Sequence, residues 1–267
     1  MAEMKLDFPP IGFGAFKIGR NLGVKYAESY PLPTDVEADR LLNGVLDLGI
    51  CYIDTAPAYG LSEERIGESI GHRRGEFILS TKVGESFENG ASRYDFSRDA
   101  MERSVRQSVR RLRTERVDVL FLHAHRDDLE ILRHTDAVET LIALRDLGIA
   151  RAIGFSGYSV DAFRASLEWA DAVMVEFHRD DVSRAPVVVE AGARGIVVVV
   201  KKGLASGRIQ PGDAIPFVLG RSEVSTMLVG SLNLDHLRDD LTLGSNVRAG
   251  WRDHHSAPAA RPGLPFA

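Results

Sequence analysis

The chain of 267 residues predicts an α/β fold, a single (β/α)8 or TIM barrel with its active site at the C-terminal face of the strands. Three observations carry this expectation. Short β-branched runs alternate with longer segments of helical period from one end to the other, the pattern of repeated strand, helix, strand units and hence of a parallel sheet. Eight such runs occur, in an order that favours a closed barrel over an open doubly wound sheet. Runs such as VVVV at 197–200 are apolar on both faces, as strands buried under helices must be.

The strands read in order as IGFGAF from Ile11, ICYID from Ile50, FILSTK from Phe77, VDVLFLH from Val117, ARAIGFS from Ala150, DAVMVEF from Asp171, GIVVVVK from Gly195 and VSTMLVG from Val224. The helices between them open on side chains able to accept from an unpaired first-turn amide: Thr34, Ser62 with Glu63 and Glu64 behind it, Ser97, Ser159 and Asn233. In the helix after Ser97, Met101, Val105, Val109 and Leu112 share one face while the arginines face water. Segments near 136–147 and 181–193 supply two further helices, and a short piece near 213–220 another. The barrel domain is expected over residues 1–250. The Pro- and Ala-rich residues 251–267 form a tail, flexible or folded across the barrel mouth, and the connection from Ala15 to Asp35 overhangs the same mouth.

Composition narrows the function. With 33 basic and 38 acidic residues the formal charge is −5, so no broad positive surface exists for nucleic acid or an anionic membrane. Cys51 is the only cysteine, which excludes an internal disulfide and a cysteine-built zinc site. The first ten residues, MAEMKLDFPP, hold no secretory apolar run, and no stretch approaches the roughly eighteen apolar residues of a membrane helix. A cytoplasmic protein acting on small molecules is expected, with its oligomeric state left open.

In a β/α barrel the reactive side chains sit at the C-terminal ends of the strands. Asp54 ends ICYID, Lys82 ends FILSTK, His123 ends VDVLFLH, and Tyr59 follows Asp54 in the next loop. Together they suit proton transfer to a carbonyl oxygen. A free tyrosine has a pKa of about 10, and a nearby ammonium such as that of Lys82 favours the phenolate. Asp54 would keep Lys82 charged and oriented, and His123 would donate a hydrogen bond to the carbonyl as negative charge develops. Tyr59 is then the general acid in reduction and the base in oxidation. Hydride must come from a cofactor, since no side chain supplies one.

The segments DTAPAYG at 54–60, STKVG at 80–84, VDVLFLH at 117–123, KKGLASG at 201–207 and VGSLNLDHLRDDL at 229–241 resemble those of the aldo-keto reductases, in order and at fitting spacing. The resemblance runs from about Gly12 to Leu243. It implies NADP(H) in preference to NAD(H), an aldehyde, ketone or alcohol substrate, and the tetrad Asp54, Tyr59, Lys82 and His123 in the roles above. It also implies cofactor contacts from Gly14 and Phe16, from Ser156 to the nicotinamide carboxamide, and from Phe177 stacked on the nicotinamide ring. Lys202, Gly203, Leu204 and Ser206, together with Gly230, Ser231, Leu232, His236 and Asp240, resemble the segments that hold the pyrophosphate and the adenosine phosphate; unpaired amides at a helix start suit such an anion. Gly157, Met174, His178, Leu232 and Asp240 depart from the family pattern, with Lys201, Lys202 or Arg238 as alternative phosphate contacts.

Other readings compete. A catalytically weak nicotinamide-binding regulator is possible on the same fold, and Lys82 is a candidate for Schiff-base aldolase chemistry. His123-Ala124-His125 has metal-ligand spacing, but further ligands beyond His178 or Asp180 are lacking, and no metal is expected. His125 is read as exposed or pocket-lining, and His254 and His255 as solvated. Gly12 and Gly14 form G-x-G without the third glycine and helix of a dinucleotide fingerprint. Substrate-shaping loops fall at 16–34, 84–96 and after 243, with Tyr26, Tyr30, Phe87, Tyr94 and Trp251 as candidate lining residues.

Overall fold

A computed structural model describes residues 6–23, 30–88 and 90–255, with side chains up to residue 250. Tyr26, the side chains of Trp251, His254 and His255, and the tail beyond 255 lie outside the described residues.

All eight expected runs become strands of one closed parallel barrel: β1 (Ile11–Gly14), β2 (Tyr52–Asp54), β3 (Ile78–Val83), β6 (Val117–His123), β7 (Ala150–Ser156), β8 (Ala172–Glu176), β9 (Val197–Lys201) and β10 (Thr226–Val229). β10 closes on β1 through Ile11 opposite Met227 and Phe13 opposite Val229. Two remaining strands, β4 (Glu85–Glu88) and β5 (Ala91–Tyr94), pair antiparallel as a hairpin inside the segment expected to be a loop. The Asn89-Gly90 dipeptide between them is a strong hairpin signal in the sequence, and Gly90 takes the left-handed backbone, φ +82°, that such a turn demands.

The helices follow their capping chemistry where the cap is real. Thr34 and Glu37 form a reciprocal capping box at the start of α1 (Asp35–Asp47), and Ser159 accepts from Ala162 at the start of α6 (Val160–Ser166). Asn233 accepts from the Asp235 amide at the start of α9 (Leu234–His255), which runs past the expected 250/251 boundary. Ser62 is a correction. It is the first residue of α2 (Ser62–Ile70) rather than its cap, and its buried hydroxyl donates to the Ala15 carbonyl at 2.9 Å while accepting from Thr55 at 2.9 Å. Ser97 precedes α3 (Arg98–Arg111) but its hydroxyl donates to Asp95. In α3, Ser108 takes the core position expected of Val109. The outer layer is completed by α4 (Asp128–His134), which the sequence reading missed, α5 (Ala137–Asp146), α7 (Ala185–Ala193) and α8 (Pro211–Leu219). No helix among the described residues is long and apolar enough to cross a membrane.

Two apolar cores result from the period of two along each strand. Outward residues such as Val173, Val175, Val198 and Val200 pack under the helices. Inward residues Tyr52, Val119, Phe121, Met174, Val199 and Leu228 fill the barrel, and Phe8 closes its lower end edge-on against Tyr52 at 4.9 Å. The lumen is therefore solid below, and only the last inward residue of each strand is left to line the mouth.

Candidate active site

The same alternation names the mouth residues. Asp54, His123, Ser156, Glu176 and Lys201 end their strands pointing inward, and Lys82, one residue before the end of β3, points inward with them, whereas Gly14 at the end of β1 and Gly230 just after β10 contribute no side chain. These glycines belong to neighbouring strands, so one side of the mouth is an open gap beside five titratable groups and a serine.

Lys82 is the most tightly held of them. Its Nζ donates to Asp54 Oδ1 at 2.8 Å, Asp54 Oδ2 at 2.6 Å and the Thr55 carbonyl at 2.9 Å, and it is 1% exposed. Asp54 in turn accepts from Ser80 Oγ at 2.7 Å, and Ser80 pairs with Tyr52 at 2.9 Å. Burial pushes the Lys82 ammonium down, and the Asp54 carboxylate opposes that shift. With three donors spent on Asp54 and Thr55, Lys82 lacks the freedom a Schiff-base nucleophile needs. Its Nζ stands 4.6 Å from the centre of the Tyr59 ring.

Tyr59 is placed by backbone. It ends a short 3-10 turn, Pro57–Tyr59, with its ring edge-on to Phe16 at 5.0 Å and to His123 at 6.4 Å. Leu61 N donates to the Gly19 carbonyl at 3.1 Å, locking the first loop onto this turn. The approach is so close that a Cβ on Gly19 would lie 2.0 Å from the Tyr59 carbonyl and 2.3 Å from the Ser62 amide. Gly19→Ala is expected to displace the turn and lower kcat at least about 10-fold, since misplacing a reacting group by 1 Å costs on the order of 100-fold. Steady-state kinetics beside an unchanged far-UV circular dichroism spectrum would show it; unaltered kcat would refute this packing.

Three mouth groups escaped the sequence reading in these roles. Glu85, the first residue of β4, brings Oε2 to 2.8 Å from His123 Nδ1. Glu176 accepts from Lys202 Nζ at 2.6 Å. Lys201 Nζ donates to Ser156 Oγ at 2.9 Å, which leaves the serine its own proton to donate. Burial, reinforced by the neighbouring Lys202 and Lys82 charges, pushes the Lys201 amine down to about 7. The strand period could have found Glu176 and Lys201; the Asn-Gly hairpin signal could have found Glu85.

Phe177 is a correction. It is one residue beyond the inward Glu176, so its ring points outward, is fully buried, and stacks on Phe217 of α8 with centroids 5.5 Å apart. It is a core residue and does not reach the mouth.

The other expected contacts spread along one side. Lys202, Ala205 and Ser206 hold φ values of +54°, +47° and +59°, a run of left-handed backbone whose cost is tolerated where the surroundings clamp a loop. Gly203 packs on Met227, where a Cβ would meet the sulfur-bound methyl at 2.4 Å. Beside this loop a cleft of about 480 Å³ is lined by Arg126, Arg184, Lys202 and Arg208 against Glu176 and Asp181, with Tyr158 and Ser206. At the start of α9, Ser231 accepts from the Asn233 amide at 3.1 Å and Asn233 from the Asp235 amide at 2.8 Å, so fewer amides remain for an anion than the sequence suggests. Arg238 pairs with Asp235, His236 is exposed, and Leu232 packs against the outer core.

Asp240 is 4% exposed, and burial, with help from Asp239 and against His236, raises its carboxyl to about 6. The folded state therefore binds more protons than the unfolded one between about pH 4 and 6, and stability falls as pH rises through that window. Asp240→Asn is expected to raise Tm at pH 8 and to lose that gain at pH 4, as thermal melts at both values would show.

Among candidate lining residues, Tyr30 donates to the Arg20 carbonyl at 2.5 Å, Phe87 lies 3.4 Å beneath the Arg20 guanidinium, and Tyr94 and Phe96 pack on a half-buried His125. His125 Nδ1 accepts from the Asp127 amide at 3.1 Å, and no group of metal-ligating residues forms among the described residues.

The sequence model of the Aldo/keto reductase family matches residues 10–216. A D-threo-aldose 1-dehydrogenase from a Pseudomonas species is 31% identical over 198 residues, which cover 65% of this chain and 57% of that protein. An aldo-keto reductase of Bacillus subtilis is 33% identical over 172 residues, covering 62% and 49%. The chain spans about half the length of the curated relatives it matches. A solved structure described as an aldo-keto reductase from Pseudomonas aeruginosa superposes with a TM-score of 0.82 at 35% identity over 90% of each chain.

Proposed function

This chain belongs to the aldo/keto reductase family, and from that premise we propose that it is an oxidoreductase transferring hydride between a nicotinamide cofactor and an aldehyde or ketone. The observation that carries the reading is the buried Asp54–Lys82 pair set 4.6 Å from the Tyr59 ring, with His123 across the mouth.

The residues present fit a dinucleotide. Gly14 and Gly230 leave the mouth open on one side, Ser156 on β7 across the barrel keeps a hydroxyl proton to donate, and the cleft beside the loop after β9 carries four cationic side chains against two carboxylates, suited to phosphate groups. That balance favours NADP(H) over NAD(H). Gly14, Phe16, Ser156, Lys202, Gly203, Leu204, Ser206, Gly230, Ser231, Leu232, His236 and Asp240 would hold the cofactor, which when bound supplies the hydride.

The chain's own groups handle the proton. Tyr59 Oη gives its proton to the carbonyl oxygen in reduction, and Lys82, kept charged by Asp54, stabilises the phenolate left behind. His123 polarises the same oxygen. The solid lumen below prevents water from reaching these groups from beneath. We place the protein in the cytoplasm. Sugar dehydrogenases among its relatives make aldoses the first substrates to try. Purified full-length protein given NADPH or NADH with small aldehydes and ketones, or NADP+ or NAD+ with aldoses, should turn the cofactor over; no turnover in either direction across the panel despite tight cofactor binding would overturn the reading.

A further inference from the structure

Lys201 borders the open side of the mouth. β9 is the sheet neighbour of β10, so the end of β9 flanks the gap left by Gly14 and Gly230, and Asp54 at the end of β2 flanks its other side. The loop that lines the cleft of about 480 Å³ begins at the next residue, Lys202. A dinucleotide with its phosphates in that cleft and its reactive ring beside Tyr59 and His123 passes the end of β9 on the way.

Lys201 is held unlike the other two lysines of the mouth. Lys82 pairs with Asp54, and Lys202 with Glu176. Lys201 forms no ion pair among the described residues; its Nζ donates to the neutral Ser156 Oγ at 2.9 Å and lies 5.6 Å from the centre of the Tyr158 ring. Burial above all, then the like charges of Lys202 beside it and Lys82 on β3, oppose the ammonium; Glu176 on β8 and Asp54 on β2 favour it but are already engaged by Lys202 and Lys82. His123 on β6 feels the Lys201 charge as well and is itself held below the ordinary histidine value, chiefly by burial.

The two redox forms of a nicotinamide differ by one charge: the oxidised ring is a cation and the dihydro ring is neutral. An uncompensated ammonium beside the ring repels the first and spares the second, so it separates two ligands that share every other group. We propose that Lys201 is a specificity-determining residue that makes the site hold the reduced cofactor more tightly than the oxidised one, a preference that fades where Lys201 loses its proton. The inference rests on the reductase reading and adds which form of the cofactor the site favours. With the amine poised at about 7, the preference is fullest below neutrality and is lost as the pH rises through that value. By reciprocity, binding of the oxidised form drives a proton off Lys201.

Binding alone tests this. Fluorescence titration of the full-length protein with NADPH, and displacement of the bound NADPH by NADP+, gives both Kd values at about pH 6 and about pH 9, on either side of the Lys201 titration. The 2′-phosphate is common to both forms, so its own ionisation cancels in their ratio. In the wild type the Kd of NADP+ divided by that of NADPH should fall about 10-fold from the lower pH to the higher, the order expected for unit charges this close at a partly buried site. Lys201→Met should show the smaller ratio at both pH values, and Lys201→Arg, whose guanidinium stays charged throughout, the larger ratio at both. Calorimetry on the wild type at neutral pH, in two buffers of different ionisation enthalpy, should count more protons released on binding NADP+ than on binding NADPH. A wild-type ratio that does not move with pH, or a pH dependence that survives in Lys201→Met, overturns the proposal and leaves the reductase reading standing. No binding of either cofactor at any pH overturns that reading and the proposal with it.

Discussion

Tyr59→Phe is expected to lower kcat for carbonyl reduction by at least about 10³-fold while leaving the Kd for reduced cofactor within roughly twofold. The change removes one oxygen, and that oxygen is the proton donor of the proposed step; general acid catalysis is worth about 10²- to 10⁴-fold, and stabilisation of the leaving phenolate by Lys82 disappears with it. The phenyl ring keeps its edge contacts with Phe16 at 5.0 Å and His123 at 6.4 Å, so the turn and the pocket shape should survive. Stopped-flow measurement of a single turnover separates the chemical step from product release. A variant that retains wild-type single-turnover rates would assign the proton to another group and would falsify the mechanism.

Lys82→Met should damage both stability and turnover, and the two can be separated. Removing the ammonium leaves the Asp54 carboxylate buried at 2% exposure with only Ser80 as a side-chain donor. Breaking a buried pair from one side costs about 3–5 kcal/mol, a fall in Tm of roughly 10 °C for a domain of this size. The double variant Asp54→Asn with Lys82→Met removes both charges and should recover most of that loss, because the desolvation penalty disappears with the ions. Activity should not return in the double variant, since no ammonium remains beside Tyr59. Urea titration with kinetics on all three proteins makes the comparison; recovery of turnover with stability would mean that the pair serves folding alone.

Legibility differed by element. Asp54, Lys82 and His123 could be placed because a strand end on a parallel barrel has a known address; Asp54 and His123 close their strands, while β3 runs one residue past Lys82 to Val83 without changing the side chain's inward parity. Tyr59 came with Asp54, five residues away in one tight turn. Phe177 failed for a reason of parity: the strand reading stopped at Phe177, but the inward register runs through Ala172, Met174 and Glu176, and one residue further turns the side chain to the other face. Ser62 failed because a hydroxyl at a helix start reads as a cap, whereas tertiary packing recruited it to tie Ala15 to Thr55. Glu85 was hidden in a segment taken as loop, although Asn89-Gly90 marked the hairpin that carries it.

The eight-fold alternation and the addresses of Asp54, Lys82 and His123 at or beside their strand ends were determined by the sequence itself, because hydrophobic period and chain order are local properties that the fold must obey. Tertiary structure alone decided which charges meet. That Glu85 faces His123, that Lys201 leans on Ser156 while Lys202 turns back to Glu176, and that Gly19 pins the Tyr59 turn depend on contacts between elements far apart in the chain. Such contacts leave no periodic trace, since each is set by the distance and burial that barrel closure imposes.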